Sequence, residues 1–160
     1  MQYKIRLVFL ISLVLTLSAC DFIESEKPVK AVVIDTTIRH ANTNRWYTLA
    51  QQEKGLEVFS KNCAACHGDK AQETIAWKVR TASGHYPPPP LNGSAHAWHH
   101  PLTTLKTVIR EGGEPLGGVM PAWQGILSED EITSAIAAFQ SYWSDEIYQR
   151  WLDIDQQSRQ

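Results

Sequence analysis

Cys63-Ala64-Ala65-Cys66-His67 sets two thiols three residues apart and an imidazole directly after the second. Three residues is just under one helical turn, so the thiols lie on neighbouring faces of that turn and can add to the two vinyl groups of one porphyrin. The histidine is then carried beneath the ring, where an imidazole nitrogen binds iron, and the pattern reads as attachment of one covalent haem c. Two other chemistries use C-x-x-C. A structural zinc site needs four Cys or His ligands, often from a second paired motif, and the sequence has none. A dithiol redox pair follows a strand and opens a helix, whereas this pair ends one.

Upstream of the motif, Thr48 and Gln51 stand at capping-box spacing and start a predicted helix that runs to about Cys63. Its packing face is Leu49, Gly55, Leu56, Val58 and Phe59. Downstream, Gly68 to Gly93 is irregular and contains Pro87-Pro88-Pro89-Pro90, a stiff extended run that excludes a helix or central strand. A second helix is predicted from Pro101 to Glu111, with proline at its first position, Leu102, Leu105, Val108 and Ile109 as its apolar stripe, and Gly112-Gly113 ending it. A loop then carries Met120. The last strong helix begins at Ser128, with Glu131 completing a capping box, and Ile132, Ile136, Phe139 and Trp143 keep its period. A kink at Ser144-Asp145 precedes a short tail helix with Ile147, Trp151 and Ile154, for which packing on the domain is favoured over a membrane contact of Trp151. The fold class is all-α, three to five helices and long loops wrapped around one haem.

The N-terminus decides the compartment. Lys4 and Arg6 precede an apolar run, Leu7 to Leu17, too short for a finished transmembrane helix, and Leu17-Ser18-Ala19-Cys20 follows. Residues 1–19 read as a cleaved export signal, and the segment resembles the lipobox of bacterial lipoproteins, which implies lipid on Cys20. Residues 20–44 mix charges, Thr, Asn and isolated valines without a sustained period and read as a tether, in which Val32-Val33-Ile34 is at most an edge strand. Residues 45–143 form the haem domain and 144–160 the helical tail. With Cys20 lipidated and Cys63 and Cys66 on haem, none of the three cysteines is left as a free thiol. The formal charge of −2 becomes more negative when Lys4 and Arg6 leave with the signal, and no basic patch for nucleic acid is present.

Loss of Met1 makes Met120 the only thioether. Gly117-Gly118 and Pro121 put it in a loop, which suits an axial ligand of iron better than a core side chain. His96, His99 and His100 are the other conspicuous cluster: a second metal site or a substitute for Met120 is one reading, and capping of the Pro101 helix or hydrogen bonds to haem propionates the plainer one. Trp46, Trp77, Trp98 and Trp123 are candidate walls for the haem pocket.

From about Trp46 to Trp143 the chain resembles the class I cytochrome c family. The matching pieces are Gly55-Leu56-Glu57-Val58-Phe59, Asn62 to Gly68, Pro90-Leu91-Asn92-Gly93, and Gly118-Val119-Met120-Pro121-Ala122-Trp123. The resemblance implies Met120 as second axial ligand beside His67, and a carbonyl of Pro89 or Pro90 accepting the histidine's other N–H. It also implies that the first and last helices cross. Gly55 costs about 1 kcal/mol against alanine inside a helix, so another backbone or an aromatic ring is expected close to its Cα, the visitor being the last helix through Phe139 and Tyr142.

With both axial positions filled, iron changes oxidation state with little rearrangement, which suits electron transfer rather than catalysis. The expected function is a single-electron carrier of the bacterial cell envelope, lipid-anchored at the periplasmic face of the inner membrane and exchanging electrons with redox partner proteins. The alternatives are a haem enzyme or sensor with displaceable Met120, and a fixed cytochrome subunit of an oxidase or metal-handling complex.

Overall fold

The computed structural model describes residues 44–74 and 76–160, and among these it has five α-helices, two short 3-10 turns and no strand. Cys20, the leader, the Val32-Val33-Ile34 run and nearly all of the tether lie outside the described residues. Helix α1 (Leu49–Asn62) starts as expected. The Thr48 hydroxyl accepts from the Gln51 N–H at 3.0 Å, and the Gln51 side-chain oxygen accepts from the Thr48 N–H at 2.8 Å. Helix α4 (Glu129–Gln140) starts the same way, Ser128 accepting at 3.2 Å and the Glu131 carboxylate accepting at 2.8 Å. Each box satisfies two of the N–H groups that a helix start leaves without partners.

α1 and α4 cross at Gly55 as expected, but the contact residues are Ser134 and Ala138 rather than Phe139 and Tyr142. A Cβ on Gly55 would run into the Ser134 carbonyl and stand 3.2 Å from the Ala138 Cβ. Ser134 and Ala138 are one helical turn apart on one face, and their small side chains let the two backbones meet. Phe139 sits beside this seam, buried, with its ring 6.0 Å from that of Trp143. Ile132, Ile136, Ala137 and Ala138 of α4 are at most 1 % exposed and form the centre of the core.

Helix α3 (Leu102–Glu111) begins one residue later than expected, because Pro101 has an extended ψ of 162° and stands as the cap. The histidines before it do not cap it. The Leu102 N–H is satisfied by the Asp155 carboxylate at 2.7 Å, from helix α5 (Asp145–Gln157). This tail helix is longer than expected and fully integrated. Trp151 is 0 % exposed and donates through Nε1 to the His100 carbonyl at 2.9 Å, and the buried Tyr148 hydroxyl accepts from the Trp46 N–H at 2.6 Å. Packing, rather than a membrane contact, is the role of Trp151. No helix among the described residues is long and apolar enough to cross a membrane.

The crossing gives a direct test. Gly55→Leu raises helix propensity but forces α1 from the Ser134 backbone, and overpacking of this type costs about 1–3 kcal/mol. We expect a lower midpoint in denaturant titration of the haem-loaded protein; an equal or higher midpoint would refute the crossing.

Candidate haem-binding site

α1 does not run unbroken through the motif. It ends at Asn62, Cys63 turns the path (φ −119°, ψ −35°), and a four-residue helix α2 (Ala64–His67) carries Cys66 and His67. The backbone ladder spans the break, with Cys63 N–H on the Phe59 carbonyl at 2.8 Å and His67 N–H on the Cys63 carbonyl at 2.9 Å. The motif is thereby anchored to the core through α1. Cys63 is half-buried and Cys66 exposed. Burial, with a smaller contribution from the neighbouring Cys66, pushes the Cys63 thiol up to about 11, so it is protonated at neutral pH.

His67 is 7 % exposed, and its Nδ1 lies 3.1 Å from the Pro89 carbonyl oxygen. A carbonyl only accepts, so Nδ1 carries the proton and Nε2 keeps its lone pair. Burial moves the imidazole below its ordinary pKa against the opposing effects of the Pro89 bond and Glu73. A neutral imidazole with a fixed tautomer is the state in which histidine binds a metal. Of the two prolines expected to offer this carbonyl, Pro89 does so.

The proline run has no N–H of its own, and its two flanking residues supply the anchors. At one end the Tyr86 N–H donates to the Gly117 carbonyl at 2.8 Å. At the other the Leu91 N–H donates to the Ala71 carbonyl at 2.8 Å, and the Leu91 carbonyl accepts from Trp143 Nε1 at 2.6 Å. Ala71 is fully buried at a positive φ of 55°, a conformation its residue type does not announce. The run is thus strung between the segment after His67 and the loop before Met120.

Met120 is half-buried, and its carbonyl accepts from the Gly113 N–H at 2.9 Å. Gly112, at φ +86°, permits this approach, since a Cβ there would stand 2.8 Å from the Met120 carbonyl and 2.9 Å from the Ala122 nitrogen. The same loop offers Leu116 and Val119 as apolar surface, 65 % and 56 % exposed. Two thiols on one turn, a neutral buried imidazole, a loop thioether and adjacent apolar surface make a donor set that fits a c-type haem.

The three histidines of the other cluster make aromatic contacts of their own. His96 stacks on Trp77 at 4.4 Å, the His96 and His100 rings meet edge-on at 5.3 Å, and His99 stacks on Trp98 at 3.7 Å. Among the described residues no three Cys, His, Asp or Glu side chains converge as a metal site. Trp46, a candidate pocket wall, instead donates to the Gln140 side chain at 2.6 Å and packs 6.5 Å from Trp151. Ala71, Tyr86 and Gly112, which position the loops, carry no signature in the sequence beyond the glycine itself.

Comparison with known proteins identifies the family. The family model described as "Cytochrome C oxidase, cbb3-type, subunit III" matches residues 50–139, more than half of the chain. The "Cbb3-type cytochrome c oxidase subunit CcoP" of Azospirillum brasilense is 36 % identical over 85 residues, 53 % of this chain and 26 % of that protein. The "Cbb3-type cytochrome c oxidase subunit FixPc" of Rhizobium leguminosarum bv. viciae is 38 % identical over 80 residues, 50 % of this chain and 24 % of that protein. "Cytochrome c6" of Euglena gracilis is 35 % identical over 82 residues, 50 % of this chain and 79 % of that protein. The match therefore spans about a quarter of the oxidase subunits and most of the cytochrome c6. No solved structure matches. The helices, the C-x-x-C-H turn and the family match together make the chain a member of the c-type cytochrome family represented by the cbb3-type oxidase subunit III domain.

Proposed function

We propose that this protein is a single-electron carrier of the bacterial cell envelope, with Cys63 and Cys66 forming thioethers to one haem and His67 and Met120 as axial ligands. The observation that carries the reading is the His67–Pro89 hydrogen bond, which leaves Nε2 of a buried, neutral imidazole available next to two thiols. When bound, haem c supplies a one-electron Fe(II)/Fe(III) couple. The chain's own contribution is positional. Pro89 fixes the imidazole, and Gly112 and Gly113 hold the backbone of Met120, whose soft sulfur, where it held the iron, would favour the ferrous state and raise the potential. Lipid on Cys20 and a tether through residue 44 would let the domain move above the periplasmic face of the inner membrane, each buried CH₂ contributing about 0.8 kcal/mol to retention.

The cytochrome c6 match covers most of a small protein and supports an independent carrier. The matches to oxidase subunits favour a second reading, a fixed subunit of a cbb3-type oxidase complex. Stoichiometric co-purification with an oxidase from detergent extracts would select the second reading, and purification of a free monomer the first.

Three outcomes follow for the site and the anchor. Haem should stay on the chain through acid and organic solvent extraction, one per polypeptide by mass; haem that extracts freely would refute the thioethers. Met120→Ala should retain haem, lose the sulfur-to-iron absorption of the oxidised protein and lower the midpoint potential in a redox titration. An unchanged spectrum and potential would assign the sixth position to another group, such as His99 or His100. Cys20→Ser should release the protein from membranes with its haem spectrum unaltered, and a variant that stays bound would reject lipid as the anchor.

A further inference from the structure

Trp143 stands three residues beyond the end of α4 and is 3 % exposed. Its ring lies 6.0 Å from that of Phe139 and 6.1 Å from that of Trp151. Gly93, at φ +92°, gives it room on the loop side, where a Cβ would stand 3.1 Å from the Trp143 Cδ1. What separates this indole from an ordinary core ring is the target of its polar edge. Nε1 donates at 2.6 Å to the carbonyl of Leu91, two residues after Pro89.

Leu91 belongs to a closed circuit of backbone that contains the imidazole. The Gly68 carbonyl, next to His67, accepts from the Ala71 N–H at 2.9 Å, and the Ala71 carbonyl accepts from the N–H groups of Leu91 and Asn92 at 2.8 Å and 3.1 Å. Pro89 closes the circuit, its carbonyl oxygen 3.1 Å from His67 Nδ1. Each of these bonds joins one part of the circuit to another. The Trp143 bond enters from the core. With its N–H and its carbonyl both held, Leu91 has little freedom in φ and ψ. Pro90, buried and locked in φ, is the one residue between Leu91 and Pro89, and it carries that restraint to the Pro89 oxygen.

We infer that Trp143 is a positioning residue for the axial imidazole: through Leu91 it sets how firmly Pro89 holds the His67 Nδ1–H, and thereby the potential of the haem iron. The inference rests on the reading of His67 as an iron ligand. A carbonyl at the second ring nitrogen raises the basicity of a ligating imidazole, and a more basic ligand favours the ferric state. Trp143 therefore lowers the potential, without touching iron or porphyrin itself.

The experiment compares the haem-loaded parent with Trp143→Phe, which keeps an aromatic ring in the core and removes the N–H. Trp151→Phe is the control. Trp151 is 0 % exposed, and its substitution removes an indole bond of the same kind, to the His100 carbonyl at 2.9 Å, outside the circuit. Two quantities are read: the midpoint potential by redox titration, and the solvent exchange of the His67 Nδ1 proton by NMR of the reduced, diamagnetic protein. Both variants should unfold at lower denaturant. Trp143→Phe alone should raise the midpoint potential, and it should speed the exchange about fivefold, the loss of roughly one hydrogen bond. The inference is overturned if either quantity stays at its parent value in Trp143→Phe. It is equally overturned if Trp151→Phe moves both as far, since the potential would then follow general loosening of the core. A parent without a low-spin haem spectrum would overturn the proposed ligation and this inference with it, whereas a low-spin parent with an unresponsive Trp143→Phe overturns this inference alone.

Discussion

The contact of Gly55 with the Ser134 backbone is the constraint on which the other parts of the domain depend. It brings two capped helices together more closely than a larger residue at position 55 would allow. Phe59 is then buried in the core that α4 supplies, and the last turn of α1 delivers Cys63 at a defined place. Interiors are close-packed, so this spacing is not easily adjusted by small shifts elsewhere. A methyl group at position 55 would be felt at the thiols because α1 is the rigid link between the two.

Loops do the remaining positioning, and they do it through a few backbone hydrogen bonds between distant segments. The run Pro87 to Pro90 ties the segment after His67 to the loop before Met120 by way of Tyr86 and Leu91. The imidazole is held by this run from behind, through Pro89. Trp143, three residues beyond the end of α4, reaches the same run through Leu91. Core and loops are therefore joined at both sides of the motif.

Much of this was legible in the sequence because it is encoded locally. Thr48 with Gln51, and Ser128 with Glu131, mark helix starts by a three-residue spacing, and both boxes form. The haem motif lies within five consecutive residues. What could not be read depends on pairs far apart in the chain. Asp155 caps Leu102 from 53 positions away, and no local pattern distinguishes it from any other helix aspartate. For the same reason the last helix was legible as the visitor at Gly55 but its contact residues were not, since Ser134 and Ala138, two small residues one turn apart, meet it in place of Phe139 and Tyr142. Packing of the tail was legible in the short stripe Ile147, Trp151 and Ile154, but not its partners: Tyr148, Trp151 and Asp155 are all buried and engage both Trp46 and the start of α3.

The four prolines have a further consequence, in the accounting of conformational freedom. Ordering an ordinary residue's backbone costs roughly 1–2 kcal/mol of entropy, whereas a ring-locked φ leaves less freedom to lose, because the unfolded chain already lacks it. The segment that supports His67 is therefore already restricted before the domain closes around it. Its four missing N–H groups also mean that no stray donor in this stretch competes for the Pro89 carbonyl. A flexible loop would need additional bonds to hold one oxygen at 3.1 Å from an imidazole; here the stiffness of the chain takes their place.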